Sequence, residues 1–208
     1  MRILLLSDEE DPALWDYYTP GRLDGYDLIL SAGDLKASYL SFLVTMCRVP
    51  VLYVHGNHDG SYVQYPPEGC DCIDGRLVTC KGLRILGLGG SAMYSGGPFQ
   101  YTERQMRRRV FRAGSQIRRA KGVDLIVTHA PPKGYGDDTD YAHRGFAAFL
   151  PLIEKWRPKV LVHGHVHLRY GMERTQRCGE TVIVNATRRF ELTIGEPPTD
   201  SRSVLSLP

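Results

Sequence analysis

Val51-Leu-Tyr-Val-His-Gly-Asn-His-Asp59 is the stretch on which the reading of this chain turns. It begins with a short apolar run, Val51 to Val54, of the kind that forms a strand buried on both faces. It ends in a glycine, an amide, an imidazole and a carboxylate. An amide and an imidazole just past a strand, beside a glycine that permits close backbone approach, can hold a metal ion and address an oxyanion together.

Working outward, the same pattern recurs. Arg2 to Ser7 is apolar and ends at Asp8, and Asp27 to Ser31 ends at Ala32-Gly33-Asp34. Val123 to Val127 leads into Thr128-His129, and Val160 to Val162 leads into His163-Gly-His-Val-His167. Five strand-like runs therefore end in metal-capable residues: Asp8 with Glu10, Asp34, Asn57 with His58, His129, and His165 with His167. Singly, each has an ordinary explanation, because an aspartate after a strand caps turns and a buried histidine is commonly satisfied by packing. Together they predict one cleft, since sites in open α/β sheets form outside the carboxyl ends of the strands.

The segments between these runs read as connections. Residues 9 to 25 are acidic, aromatic and broken by proline and glycine, which predicts a loop with one helical turn. Helices are expected over Leu35 to Arg48, Thr102 to Lys121 and Gly145 to Trp156, and a hairpin over Leu77 to Cys80 and Leu83 to Leu88. Gly87-Leu-Gly-Gly-Ser91 lacks the last glycine of a dinucleotide loop and the lysine of a P-loop, so it reads as a turn. Thr181 to Val184 and Phe190 to Ile194 are expected to close the fold around Asn185-Ala-Thr187. One domain over 1–194 and a loosely ordered tail over 195–208 follow.

Composition narrows the class. At 208 residues with 42% hydrophobic side chains, the chain can bury one substantial core. No run is long and apolar enough for a membrane span, and the amino terminus does not read as a secretory signal, which predicts a cytoplasmic protein without a membrane partner. The five cysteines form no regular framework, so reduced thiols are expected, and Cys70-x-Cys72 lacks a second pair to complete a zinc site. A net charge of +3 does not by itself imply nucleic acid, although the arginine-rich stretch 102–121 keeps that partner open against a solvated helix face.

The ordered series Asp8-x-Glu10, Gly33-Asp34, Gly56-Asn57-His58-Asp59, Thr128-His129 and Gly164-His165-x-His167 resembles the calcineurin-like metallophosphoesterase family, over residues 8 to 167. The resemblance implies a four-layer α/β/β/α sandwich and two divalent cations. One cation would be held by Asp8, Glu10, Asp34 and His167, with Glu10 standing where the family has a histidine. The other would be held by Asp34, Asn57, His129 and His165, with Asp34 shared. Glu10 makes the first site oxygen-rich, which favours manganese, with iron, magnesium or zinc as alternatives. The alternative for Glu10 is a place in the solvated acidic loop Asp8-Glu-Glu-Asp11. In the implied chemistry a water shared by the cations is acidified to hydroxide and attacks phosphorus, while His58 touches the phosphate or protonates the leaving group. Asp59 either orients His58 or caps the loop.

Leu35-Lys-Ala-Ser38 replaces the Asp-Arg-Gly that follows this motif in protein serine/threonine phosphatases. His129-Ala-Pro-Pro-Lys-Gly134 and His165 to Gly171 are more similar to phosphodiesterase-like members. The expected activity is hydrolysis of a small phosphodiester or nucleotide. A nuclease or nucleotide phosphomonoesterase, and a non-catalytic scaffold with a degenerate metal site, are the alternatives.

Overall fold

The computed structural model describes residues 1–168 and 171–195, and the backbone of 205–207. In chain order, β1 (Arg2–Leu6), β2 (Leu28–Ser31), α1 (Ala37–Met46), β3 (Val51–Tyr53) and β4 (Asp71–Cys72) come first. Next are β5 (Leu77–Cys80), β6 (Leu83–Leu88), β7 (Ser91–Ala92), β8 (Gln100–Tyr101), α2 (Glu103–Arg119) and β9 (Leu125–Thr128). The chain continues through α3 (Phe149–Trp156), β10 (Val160–His163), β11 (Thr175–Cys178), β12 (Thr181–Asn185), β13 (Phe190–Ile194) and β14 (Leu205–Leu207).

The strands form two six-stranded mixed sheets, ordered β14-β13-β1-β2-β3-β4 and β11-β12-β10-β9-β6-β5, and a two-stranded parallel pair, β7-β8. β1, β2 and β3 run parallel in the first, as do β6, β9, β10 and β12 in the second. Parallel central strands must be covered on both faces, which is why their sequences are continuous apolar runs rather than alternating ones. Alternate side chains separate into three cores. Ile3, Leu5, Leu28, Leu30 and Val54 of one sheet pack with Ile85, Val127, Val160 and Val184 of the other. The opposite face of the first sheet, with Leu4, Leu6 and Ile29, is covered by Tyr39, Leu40 and Leu43 of α1. That of the second, with Leu86, Ile126 and Leu161, is covered by Met106 and Ile117 of α2 and Phe149 and Leu152 of α3. This partition is what a helix–sheet–sheet–helix order requires. Among the described residues no helix is long and apolar enough to cross a membrane, and all five cysteines are free.

The hairpin and the central strands lie where the apolar runs put them, but the helices are shorter than expected. α1 starts at Ala37 because Lys36 is extended, and the Leu35 carbonyl accepts a short hydrogen bond from the Tyr62 hydroxyl. α2 begins as the pattern indicates, with Thr102 and Gln105 forming a reciprocal capping box. α3 starts at Phe149 instead of Gly145 because Phe146 pairs with Pro132 in an isolated bridge, which keeps 145–148 out of the helix. Of the tail expected to be loosely ordered, residues 196–204 and 208 lie outside the described residues. The backbone of Leu205–Leu207 instead adds a parallel edge strand to β13.

Candidate metal centre

The carboxyl ends of the central strands of both sheets meet at one seam. Asp8 and Asp34 follow β1 and β2, Asn57 follows β3, His129 follows β9 and His165 follows β10. Asp8, Asp34 and His165 all adopt the left-handed region, with φ of 63°, 57° and 68°. Non-glycine residues enter that region at a cost and recur at functional sites, where the surrounding fold holds them. Here the restraint is hydrogen bonding across the seam. The Asp8 N–H donates to the Gly33 carbonyl at 3.1 Å, and the Asp8 carboxylate accepts from the His165 N–H at 2.9 and 3.0 Å.

At the centre, Asp34, His129 and His165 each offer a ligand atom, all within 4.8 Å of one another. His129 is fully buried, and its Nδ1–H donates to the Ala32 carbonyl at 2.8 Å. A carbonyl can only accept, so this bond fixes the ring and aims Nε2 into the cleft. There Nε2 meets the Asn57 amide oxygen at 3.0 Å and Asp34 Oδ2 at 3.2 Å. A ring nitrogen and two oxygens converge on one point, and only a proton or a cation can sit among them. The Asn57 amide is oriented by its other end, which donates to the Tyr94 hydroxyl at 3.1 Å. One carboxylate, one amide oxygen and two imidazoles are a donor set suited to a divalent transition metal, so these residues fit the group that the sequence implies.

The electrostatics favour positive charge at this point, and a metal bound there would have to displace the His129 proton. Burial opposes charge on His129, yet the Asp34 and Asp8 carboxylates outweigh it and raise the pKa to about 9. Burial, with the His129 charge beside it, pushes His165 down to about 3, so that ring is neutral, as a ligand must be. Burial raises Asp8, partly offset by His129. Burial also works against the Asp34 charge, but His129 and the His58 N–H prevail and hold its carboxyl below the usual value.

Of the other sequence-derived site residues, Asp8, His58 and Asp59 bond members or neighbours of this group, whereas His167 and Glu10 make their contacts elsewhere. His58 donates its backbone N–H to Asp34 Oδ1 at 2.7 Å, and the residue is exposed. Asp59 is buried and accepts from the N–H groups of Gly56 and Asp34 at 2.7 and 3.0 Å. Of the two roles left open for Asp59, this is the loop-capping one. His167 is exposed, and its Nδ1 lies 2.9 Å from Glu9 Oε1. Glu10 turns the other way. Its carboxylate accepts from the Lys36 N–H at 3.1 Å, with Lys36 Nζ 3.8 Å away. The glutamate beside His167 is thus Glu9, and Glu10 is engaged by Lys36.

Several contributors carry no local sequence signal. Tyr94 reaches Asn57 from the loop between β7 and β8. The Thr187 hydroxyl lies 3.5 Å from Asp8 Oδ2 and 3.3 Å from the Val166 carbonyl, bracing the loop that carries His165. His143 places its ring centroid 5.1 Å from that of His165, whose Nε2 bonds the Ala142 carbonyl at 2.8 Å. Below the Gly56–Asp59 loop, His55 stacks on Phe99 at 4.0 Å and faces Asp74, which also accepts from Gly89 N–H and Arg109. The glycines of the motifs are steric necessities. A Cβ on Gly56 would overlap Asp34 Oδ1, and one on Gly164 would overlap Ser7 Oγ and Asp8 Oδ2.

Comparison with known proteins agrees with this arrangement. The chain is 28% identical to human metallophosphoesterase domain-containing protein 1 over 149 residues, which are 70% of this chain and 42% of that protein. It is 34% identical to a UPF0046 protein of Caenorhabditis elegans over 125 residues, which are 57% of this chain and 41% of that protein. The matches thus span well under half the length of these curated relatives. The fold is shared with a solved Thermus thermophilus protein, TT1561, at a TM-score of 0.63 and 17% identity, over 89% of this chain and 88% of that one. Residues 1–169 match the calcineurin-like phosphoesterase family, and the chain belongs to that family.

Proposed function

We propose that this protein is a metal-dependent phosphoester hydrolase that prefers phosphodiesters. The observation that carries the reading is the convergence of Asp34, Asn57, His129 and His165 on one point at the meeting edge of two mixed sheets. Asp34, Asn57, His129 and His165 would hold one divalent cation, and Asp8, His167 and the shared Asp34 a second. Manganese suits the half to which Asp8 and Asp34 bring carboxylates, with iron, magnesium and zinc as alternatives. Bound there, the cations would supply an acidified water and neutralise phosphate charge.

The chain's own residues account for the rest. His129 and Asn57 are pre-oriented by Ala32 and Tyr94, so the ligand set needs little reorganisation when it binds. Asp59 clamps the backbone of Gly56 and Asp34 and so holds the loop between Asn57 and the bridging carboxylate in place. His58, exposed and tied through its backbone N–H to Asp34, would hold the proton that the leaving oxygen takes up. The preference for diesters rests on the similarity of the His129–Gly134 and His165–Gly171 stretches to phosphodiesterase-like members. A nuclease or nucleotide phosphomonoesterase is the second enzymatic reading, and a non-catalytic scaffold the third.

The test is a substrate panel with the purified full chain. Bis-p-nitrophenyl phosphate, p-nitrophenyl phosphate, cyclic nucleotides and single-stranded DNA are offered with manganese, iron, magnesium or zinc. Manganese-dependent cleavage of the diester and of a cyclic nucleotide is expected, lost in His58→Ala with metal still bound. Cleavage of monoesters alone would overturn the diester preference, and inactivity of the folded, metal-loaded protein on every substrate would favour a scaffold.

A further inference from the structure

The hydrolase reading leaves the most basic element unused. α2 carries seven arginines against one glutamate in its 17 residues. Of these, Arg109 turns inward to Asp74 and the Gly89 carbonyl. Others stand beside a groove of about 460 Å³ between α2 and α3. Its walls are Val110 and Phe111 from one helix and Pro151, Leu152 and Trp156 from the other. The groove is open at Gly114, where an added Cβ would meet only the Arg118 guanidinium, at 3.8 Å. Phe111 is 81% exposed at its edge, an unusual place for a ring of that size in water. The rim is cationic on both sides, with Arg118 and Arg107 from α2, the latter 3.5 Å from Glu103, and Lys155 from α3, whose Nζ lies 5.3 Å over the Trp156 ring.

We propose that this groove docks an amphipathic helical segment of a partner protein, with large apolar anchors on one face and aspartates or glutamates beside them. The slot between two helices accepts side chains spaced a helical turn apart, which is how grooves of this form take helices. Arg107, Arg118 and Lys155 frame the slot with positive charge, so complementarity selects acidic flanks and rejects basic ones. A single strand of nucleic acid fits the arrangement less well. It calls for a continuous cationic track with exposed stacking platforms, whereas here the cations ring an apolar depression.

The test does not depend on hydrolysis, so it stands whether or not the enzymatic reading does. A phage-displayed library of helical peptides is panned on the full chain, and the enriched peptides are titrated by fluorescence polarisation. Enriched sequences should carry Leu, Phe or Trp at i, i+4 and i+7 with acidic neighbours. Their affinity should fall at least about tenfold in Phe111→Ser and in Arg118→Glu, as for loss of an interface anchor. Both residues are exposed, and circular dichroism confirms that the variants fold. Arg108→Glu is the control for bulk charge, because Arg108 lines a different depression with Asp74 and Gly75, and it should change affinity about twofold at most. Absence of a patterned, acidic enrichment, insensitivity to Phe111→Ser and Arg118→Glu, or equal competition by a DNA oligonucleotide would each overturn the proposal.

Discussion

His129 Nε2 lies 3.2 Å from Asp34 Oδ2 across the seam where the carboxyl ends of two sheets meet. His129 follows a strand of one sheet and Asp34 a strand of the other, so packing the sheets and assembling the centre are one event. Ala32 is the hinge of this arrangement. Its carbonyl fixes the His129 ring, and its neighbours Gly33 and Asp34 carry the backbone through two consecutive positive φ values of 98° and 57°.

Glu10 is expected to be dispensable for metal. Its carboxylate is engaged by the Lys36 N–H, beside the start of α1. Glu10→Ala should leave manganese affinity, measured by titration calorimetry, within about twofold, and cost about 1 kcal/mol of folding stability through the lost hydrogen bond. Weakening of manganese binding by tenfold would make Glu10 a ligand after all.

Gly164→Ala tests the packing of the seam. The added methyl would overlap Ser7 Oγ and Asp8 Oδ2, so Asp8 has to move away from the His165 N–H that it now accepts. The expected result is a destabilised protein, by about 1–3 kcal/mol as for other overpacked positions, with manganese affinity at least tenfold weaker. A variant as stable as the parent with unchanged metal binding would show that the seam is looser than these contacts imply.

Away from the centre, Arg84 and Asp124 give a pH signature. Arg84 Nε and one terminal nitrogen bond the two Asp124 oxygens at 2.8 and 2.7 Å, and the Arg84 N–H adds a third bond at 2.8 Å. These bonds, above all those of the guanidinium, hold the Asp124 carboxyl below its usual value. A carboxyl depressed in the folded state contributes stability above its unfolded pKa, near 3.9, and loses it as pH falls through the folded value. Asp124→Asn should therefore cost about 1–3 kcal/mol in urea denaturation at pH 7 with EDTA present, and much less at pH 3. An equal cost at both pH values would remove the ion pair as the cause.

Much of this arrangement is legible in the chain. The buried central strands announce themselves as unbroken apolar runs, and the residues ending them can be placed together by the rule for parallel sheets. The family resemblance supplied the partition of those residues between two cations. What local pattern does not carry is direction. Glu9 and Glu10 are adjacent, and only the backbone trace after Asp8 decides that one reaches His167 and the other Lys36. Tyr94, Thr187 and Asp74 come from loops whose approach to the centre depends on tertiary packing. Two-residue strands such as β4, β7 and β8 are too short for any alternation to register. The edge strand β11, Thr-Gln-Arg-Cys, is largely polar because one flank meets solvent.

The central claim is that Asp34 and His129 hold metal at this seam. Titration calorimetry of the metal-stripped protein with manganese, repeated for Asp34→Asn and His129→Ala, tests it most directly. The parent is expected to bind two equivalents, with each variant losing at least one of them or weakening it by a factor of about 100. Parent and variants binding manganese alike, or a folded parent binding none of the four candidate metals, would contradict the account.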